Sequence, residues 1–107
     1  MKLWIDDVRP APEGYVWCKS VNEAIETIDV IDIASDDFDT PIVLVDMDHD
    51  AGDYVDDGGD HIKLLDYFEE CYGKDLPFSI RIHSMNPIGV ENMRAIIQRN
   101  GWTEVGE

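Results

Sequence analysis

Three short stretches of the chain carry acid, base and hydroxyl groups of the kind that handle phosphates: Asp6-Asp7, Asp46-Met-Asp-His-Asp50 and His83-Ser84. Brought together, Asp6, Asp7, Asp46, Asp48 and Asp50 are too many like charges to coexist without a cation, since each raises the pKa of the others or repels them. Mg²⁺, or Mn²⁺ in its place, relieves this. Mg²⁺ is hard, prefers oxygen ligands and keeps waters that exchange for phosphate oxygens. A lone loop aspartate more often caps a helix or solvates a turn. Three acid- or histidine-bearing strand ends together favour a metal site. Asp53-Tyr-Val-Asp-Asp-Gly58 resembles a calcium loop, but that pattern needs a glutamate at its twelfth position. Counting from Asp46, Asp48 or Asp53 reaches Asp57, Gly59 or Leu64 instead.

His49, between two aspartates, is a candidate general acid or base near neutrality, with a solvated loop histidine as the plain alternative. His83 has the same two readings, catalytic or hydrogen-bonded and structural. Ser84 is placed to donate to a phosphate oxygen beside the first amides of a helix, or to cap that helix. His61 heads an apolar stripe and reads as structural. No G-x-x-x-x-G-K, G-x-S-x-G or G-x-G-x-x-G motif supports nucleotide-loop or hydrolase-elbow chemistry.

The elements that must position these groups follow from periodicity. Lys2 to Ile5 reads as a first strand, closed by Asp6-Asp7. Arg9 to Gly14, with two prolines, is a turn-rich connection. Tyr15 to Lys19 reads as a second strand. Ser20-Val-Asn-Glu23 has the form of a capping box, and Val21, Ala24, Ile25, Ile28 and Ile31 share one face of the helix it opens. Ser35 to Thr40 is an acidic loop. Pro41 to Val45 reads as a strand buried on both faces. Ala51 to Gly59 is a loop, and His61, Leu64, Leu65, Phe68, Cys71 and Tyr72 form the stripe of a second helix. Phe78 to Ile82 is a strand. Asn86-Pro87 starts a last helix with apolar face Val90, Met93, Ile96 and Ile97, capped at Asn100-Gly101. Trp102 to Val105 is a candidate final strand. Strands alternating with helices predict a single three-layer α/β domain with a mainly parallel sheet covered on both faces. In such sheets ligands bind beyond the carboxyl ends of the strands.

Composition narrows the classes. The 107 residues suit one domain, and 44% hydrophobic content excludes a disordered acidic tail. No apolar run approaches the ~20 residues of a membrane helix, and the chain's start shows no signal-peptide pattern, so a cytoplasmic protein is expected. Cys18 and Cys71 read as two reduced thiols. The net charge of −16, from 24 acidic and 8 basic residues, opposes direct, metal-free nucleic-acid binding.

Acids after the first and third strands and a hydroxyl after the fourth resemble the response-regulator receiver domain. Leu3-Trp-Ile-Asp-Asp-Val-Arg-Pro10, Asp48-His-Asp50 and Ile82-His-Ser-Met-Asn-Pro87 resemble the cyclic-phosphate-processing receiver family. The resemblance implies a receiver fold, flavodoxin-like and truncated, that processes a cyclic phosphate on an RNA end or a nucleotide. By position it implies Asp6, Asp7, Asp48 and Asp50 as metal ligands, His49 and His83 as proton handlers and Ser84 as a phosphate contact. Two departures stand out. Receivers carry a lysine ending their fifth strand, whereas Trp102 is followed here by Thr-Glu-Val-Gly-Glu; and Val8 to Gly14 is too short for the usual first helix. Both disfavour a phosphorylation switch. Asp46 and Asp48 compete for the key strand-end position.

The leading expectation is therefore a metal-dependent phosphoesterase acting on a cyclic phosphate, with a small molecule or RNA end as partner and Arg9 or Arg81 steadying charge. The alternatives are a non-enzymatic receiver-type signalling or protein-binding module and an acidic nucleic-acid mimic.

Overall fold

The computed structural model describes residues 1–34 and 41–106, with the side chains of 32–34 left out. The expected loop at 35–40 lies outside the described residues. Strands β1 (Lys2–Ile5), β2 (Tyr15–Cys18), β3 (Leu44–Met47) and β4 (Ser79–Ile82) alternate with helices α1 (Val21–Ala34), α2 (Ile62–Tyr72) and α3 (Pro87–Asn100). The four strands form one parallel sheet in the order β2-β1-β3-β4. This is the receiver-like α/β arrangement expected from the sequence.

The third layer is missing among the described residues. Leu3, Ile5, Cys18, Val45, Met47 and Ile80 point to one face and bury themselves against Val21, Ala24 and Ile28 of α1, Leu64, Leu65 and Phe68 of α2, and Met93, Ile96 and Ile97 of α3. The α1 helix packs on α2, and α2 packs on α3. Each of these connections steps across the sheet in the same direction, so right-handed crossovers put all three helices on the same side. A helix on the other side would have to join β1 to β2, and residues 6–14 are too few to form it. That opposite face carries Lys2, Trp4, Tyr15, Trp17, Leu44, Ser79 and Arg81, all exposed or half-buried, around a buried Asp46.

Local signals account for the helix ends. The Ser20 hydroxyl accepts from the Glu23 amide at 3.0 Å, as the capping motif requires, but donates its own proton to Asp57 at 2.5 Å. Asn86 caps α3 by accepting from the Gly89 amide at 3.0 Å, with Pro87 next. Gly101, at φ 71°, closes that helix in the left-handed conformation. Two expectations shift. Strand β3 runs over Leu44–Met47, later than 41–45, because Asp46 finds partners inside the sheet and does not end the strand. Cys71 is exposed, off the buried stripe of α2. The final strand reduces to one parallel bridge between Ile80 and Glu104, anchored by buried Trp102, whose indole N–H donates to the Gly73 carbonyl at 2.7 Å.

Candidate metal and phosphate site

The parallel register brings the ends of β1, β3 and β4 to one edge, since Ile5, Met47 and Ile82 stand side by side. The next residues, Asp6, Asp48 and His83, therefore meet there. Asp6, Asp7 and Asp48 each offer a carboxylate oxygen, and the three oxygens lie within 4.8 Å of one another. Asp50 stands apart from this trio. It groups instead with His49 and Asp60.

Asp6 is held rigidly. One oxygen accepts from the Val8 and Arg9 amides at 2.9 Å each, and the other faces the His83 Nε2 at 2.9 Å. Burial works against its charge, but these bonds outweigh burial and hold Asp6 below the usual carboxylate value. Asp7 moves the other way. Burial raises its pKa, and the charges of Asp6 and Asp48 push in the same direction. The backbone of the turn at Gly52 presses on the Asp7 carboxylate so closely that a Cβ there would overlap it. A hard divalent cation fits this oxygen-only set and would remove the like-charge strain.

His83 is less free than its strand-end position promised. Its Nδ1 lies 2.6 Å from Asp46 and its Nε2 2.9 Å from Asp6, while its ring stacks on Trp4 at 3.9 Å and 5°. Burial pulls its pKa down, yet the two carboxylates win and raise it, favouring an imidazolium that donates to both. Asp46 and Asp48, which competed for the key strand-end position, have different partners. Asp46 holds His83 from within the sheet, and Asp48 joins the acidic trio.

His49 has the opposite arrangement. Its Nδ1 faces Asp50 at 2.7 Å, and among the described residues its Nε2 has no hydrogen-bond partner. The ring lies on the backbone of Gly89, where an added Cβ would come within 2.5 Å of its Cγ. Asp50 sits below its ordinary pKa, through the His49 hydrogen bond above all. Ser84 accepts from the Asn86 amide at 3.1 Å, so its oxygen shapes the turn into α3. His61 is fully buried and lies within hydrogen-bonding distance of the Lys19 carbonyl through Nε2 at 3.1 Å, in keeping with a structural role.

Sequence reasoning missed Asp60, Trp4 and Gly89. Asp60 accepts from the Ala51 amide at 3.0 Å in a loop with many aspartates, and only the fold singles it out. Alternation within Lys2–Ile5 could have shown that Trp4 shares a face with Asp6.

A parallel sheet with acids after β1 and β3 and a hydroxyl after β4 defines a receiver-like domain with an acidic edge. The chain belongs to the cyclic-phosphate processing receiver domain family, whose model matches residues 1–99. No curated protein and no solved structure matched the chain.

Proposed function

We propose that this domain is a metal-dependent phosphoesterase that opens a cyclic phosphate on an RNA end or a nucleotide. The observation that carries the reading is the meeting of Asp6, Asp7 and Asp48, with the His49 amide donating to Asp48 at 2.8 Å and its ring paired to Asp50. The three carboxylates would hold Mg²⁺ or Mn²⁺, which when bound polarises the phosphoryl group. Asp50 keeps the proton of His49 on Nδ1, leaving Nε2 as the lone pair that takes a proton from the attacking water. The water oxygen bonds to phosphorus, one ring P–O bond breaks, and the departing oxygen takes up the proton that His49 removed from the water, giving a linear monoester. His83, with both nitrogens engaged, positions Asp6, and the two carboxylates beside it favour its imidazolium form. The Ser84 hydroxyl, whose oxygen already accepts from the Asn86 amide, keeps its proton to donate to a phosphate oxygen.

The test is turnover of cyclic nucleotides and of an RNA bearing a 2′,3′-cyclic phosphate, followed by phosphorus NMR with Mg²⁺ or Mn²⁺. His49→Ala should cut the rate by roughly 10²–10⁴-fold, the usual contribution of general acid–base catalysis. Asp48→Asn should also suppress it. Full activity in both variants would refute the assignment, and inert wild type on every cyclic ester would move the domain to the class of binding modules.

A further inference from the structure

The uncovered face of the sheet holds an unusual set of side chains for a chain of charge −16. Lys2, Arg9, Lys19 and Arg81 lie on or beside it, half of the eight lysines and arginines. Among them stand three aromatic rings. Trp4 meets Tyr15 edge-on at 5.8 Å, and Trp17 is the partner of Trp4 in the β1–β2 register. The indole N–H groups are already spent, Trp4 donating to the Arg9 carbonyl at 2.9 Å and Trp17 to the Asp6 carbonyl at 2.6 Å. The two indole rings are therefore pinned in place. Lys2 lies over Tyr15 at 5.4 Å and Lys19 over Trp17 at 4.7 Å. A flat π-surface arriving there would displace both ammonium groups outward.

We infer that this face docks single-stranded RNA, with bases stacking on Tyr15 and Trp17 and the displaced Lys2 and Lys19 meeting backbone phosphates. Fixed aromatic rings interleaved with cations are what sequence-tolerant single-strand binding requires. The overall negative charge opposes long-range attraction, so the face acts at contact range. The surface runs directly into the acidic edge. Trp17 holds the Asp6 backbone, and Trp4 stacks on the histidine that holds the Asp6 side chain. A strand lying on the face would bring its terminal phosphate to Asp6, Asp7 and Asp48. The choice of RNA rests on the cyclic-phosphate reading above, because a 2′,3′-cyclic phosphate needs a ribose 2′-hydroxyl.

The test titrates the full chain, ¹⁵N-labelled and in Mg²⁺, with hexauridine ending in a 3′-hydroxyl. The baseline is Mg²⁺ alone. The Trp4 and Trp17 indole signals should shift, while that of Trp102, on the helix side, stays still and reports an intact fold. Tyr15→Ala and Trp17→Ala should each weaken binding by roughly tenfold, in the range measured for lost base stacking. Lys19→Gln should weaken it less. Because Trp17→Ala removes a half-buried ring, Tyr15→Ala carries the test if Trp17→Ala fails to fold. Hexauridine has no cyclic phosphate to turn over, so its binding is read apart from catalysis, and a failure of the catalytic reading and a failure of the docking reading are told apart. Unmoved indoles, unchanged affinity in Tyr15→Ala, or equal affinity for uridine monophosphate and hexauridine would each overturn the proposal. So would indole shifts that grow with protein concentration and are unaffected by RNA, since a second copy would then cover the face.

Discussion

Neighbouring residues of β1 go to opposite sides of the sheet and meet opposite solutions. Leu3 and Ile5 are fully buried beneath three helices, where water is excluded and apolar area accounts for the gain. Lys2 and Trp4 lie on a face that no described helix covers. That face is held by polar closure. Each indole N–H finds a carbonyl, and the buried Asp46 is matched by His83 and lies 3.9 Å from Arg81. A sheet can thus forgo a layer if the exposed side is built from residues with an apolar body and a polar handle. Apolar burial is concentrated on one side of the sheet, while the other side and its edge carry polar, charged and aromatic side chains.

That division can be broken most directly on the covered side. Phe68 is fully buried and packs edge-on against Phe78 at 5.0 Å. Phe68→Ala should cost about 3–5 kcal/mol in urea denaturation, the usual range for a large buried aromatic. Tyr15→Ala, on the open face, should cost about 1 kcal/mol or less. Equal losses would show that the open face carries as much of the fold as the core does.

A second effect of somewhat smaller size belongs to the edge. A cation that binds only the folded trio stabilises by mass action, about 2.7 kcal/mol at a concentration of one hundred times Kd. The melting temperature should rise from EDTA to Mg²⁺, and Asp48→Asn should shrink the rise. Identical melting in both conditions would separate the acidic edge from any metal role.

The strands, the three helices and their caps were legible because alternation and helical periodicity are strong local signals. The strand-end positions of Asp6 and His83 followed from them. The one-sided layering was harder to see, because alternating elements imply two covered faces unless a connection is counted as too short. The division of labour among the carboxylates was not legible at all. Asp46, Asp48 and Asp50 are spaced by two and look equivalent in sequence, yet one enters the sheet, one joins the trio and one pairs with His49. Only the register with β4 distinguishes them.

The His83 clamp offers a subtler probe of the open face, made on metal-free protein in EDTA. His83 has its folded pKa raised above 6.5, so its contribution is complete below that value and fades as pH rises through the folded one. Asp6 has its folded pKa lowered from 3.8, so its contribution is complete above that value and fades as pH falls through the folded one. The clamp is then fully in place between about pH 3.8 and 6.5. The stability gap between wild type and His83→Gln should be widest in that window and narrow toward alkaline pH. A gap independent of pH would mean that the ring acts by stacking on Trp4 rather than by its charge.

The smallest expected effect is a null, and it asks whether the edge behaves as a switch. A receiver that stores a phosphoryl group balances the new oxygens with a lysine at the end of its fifth strand. Here the corresponding segment is the bridge at Glu104, whose carboxylate pairs with Arg94 at 2.8 Å. A phosphoryl group on Asp48 would add negative charge beside Asp6 and Asp7, with His83 already committed to two carboxylates. Incubation with acetyl phosphate and Mg²⁺ should therefore leave the intact mass unchanged. Glu104→Lys should not by itself confer a lasting adduct, because Asp46 and Asp6 would still hold the neighbouring histidine. A stoichiometric, long-lived aspartyl phosphate on the wild type would mean that the acidic edge stores phosphate rather than hydrolysing its esters. The open face would then have to be read as the surface that reports the stored signal to a partner.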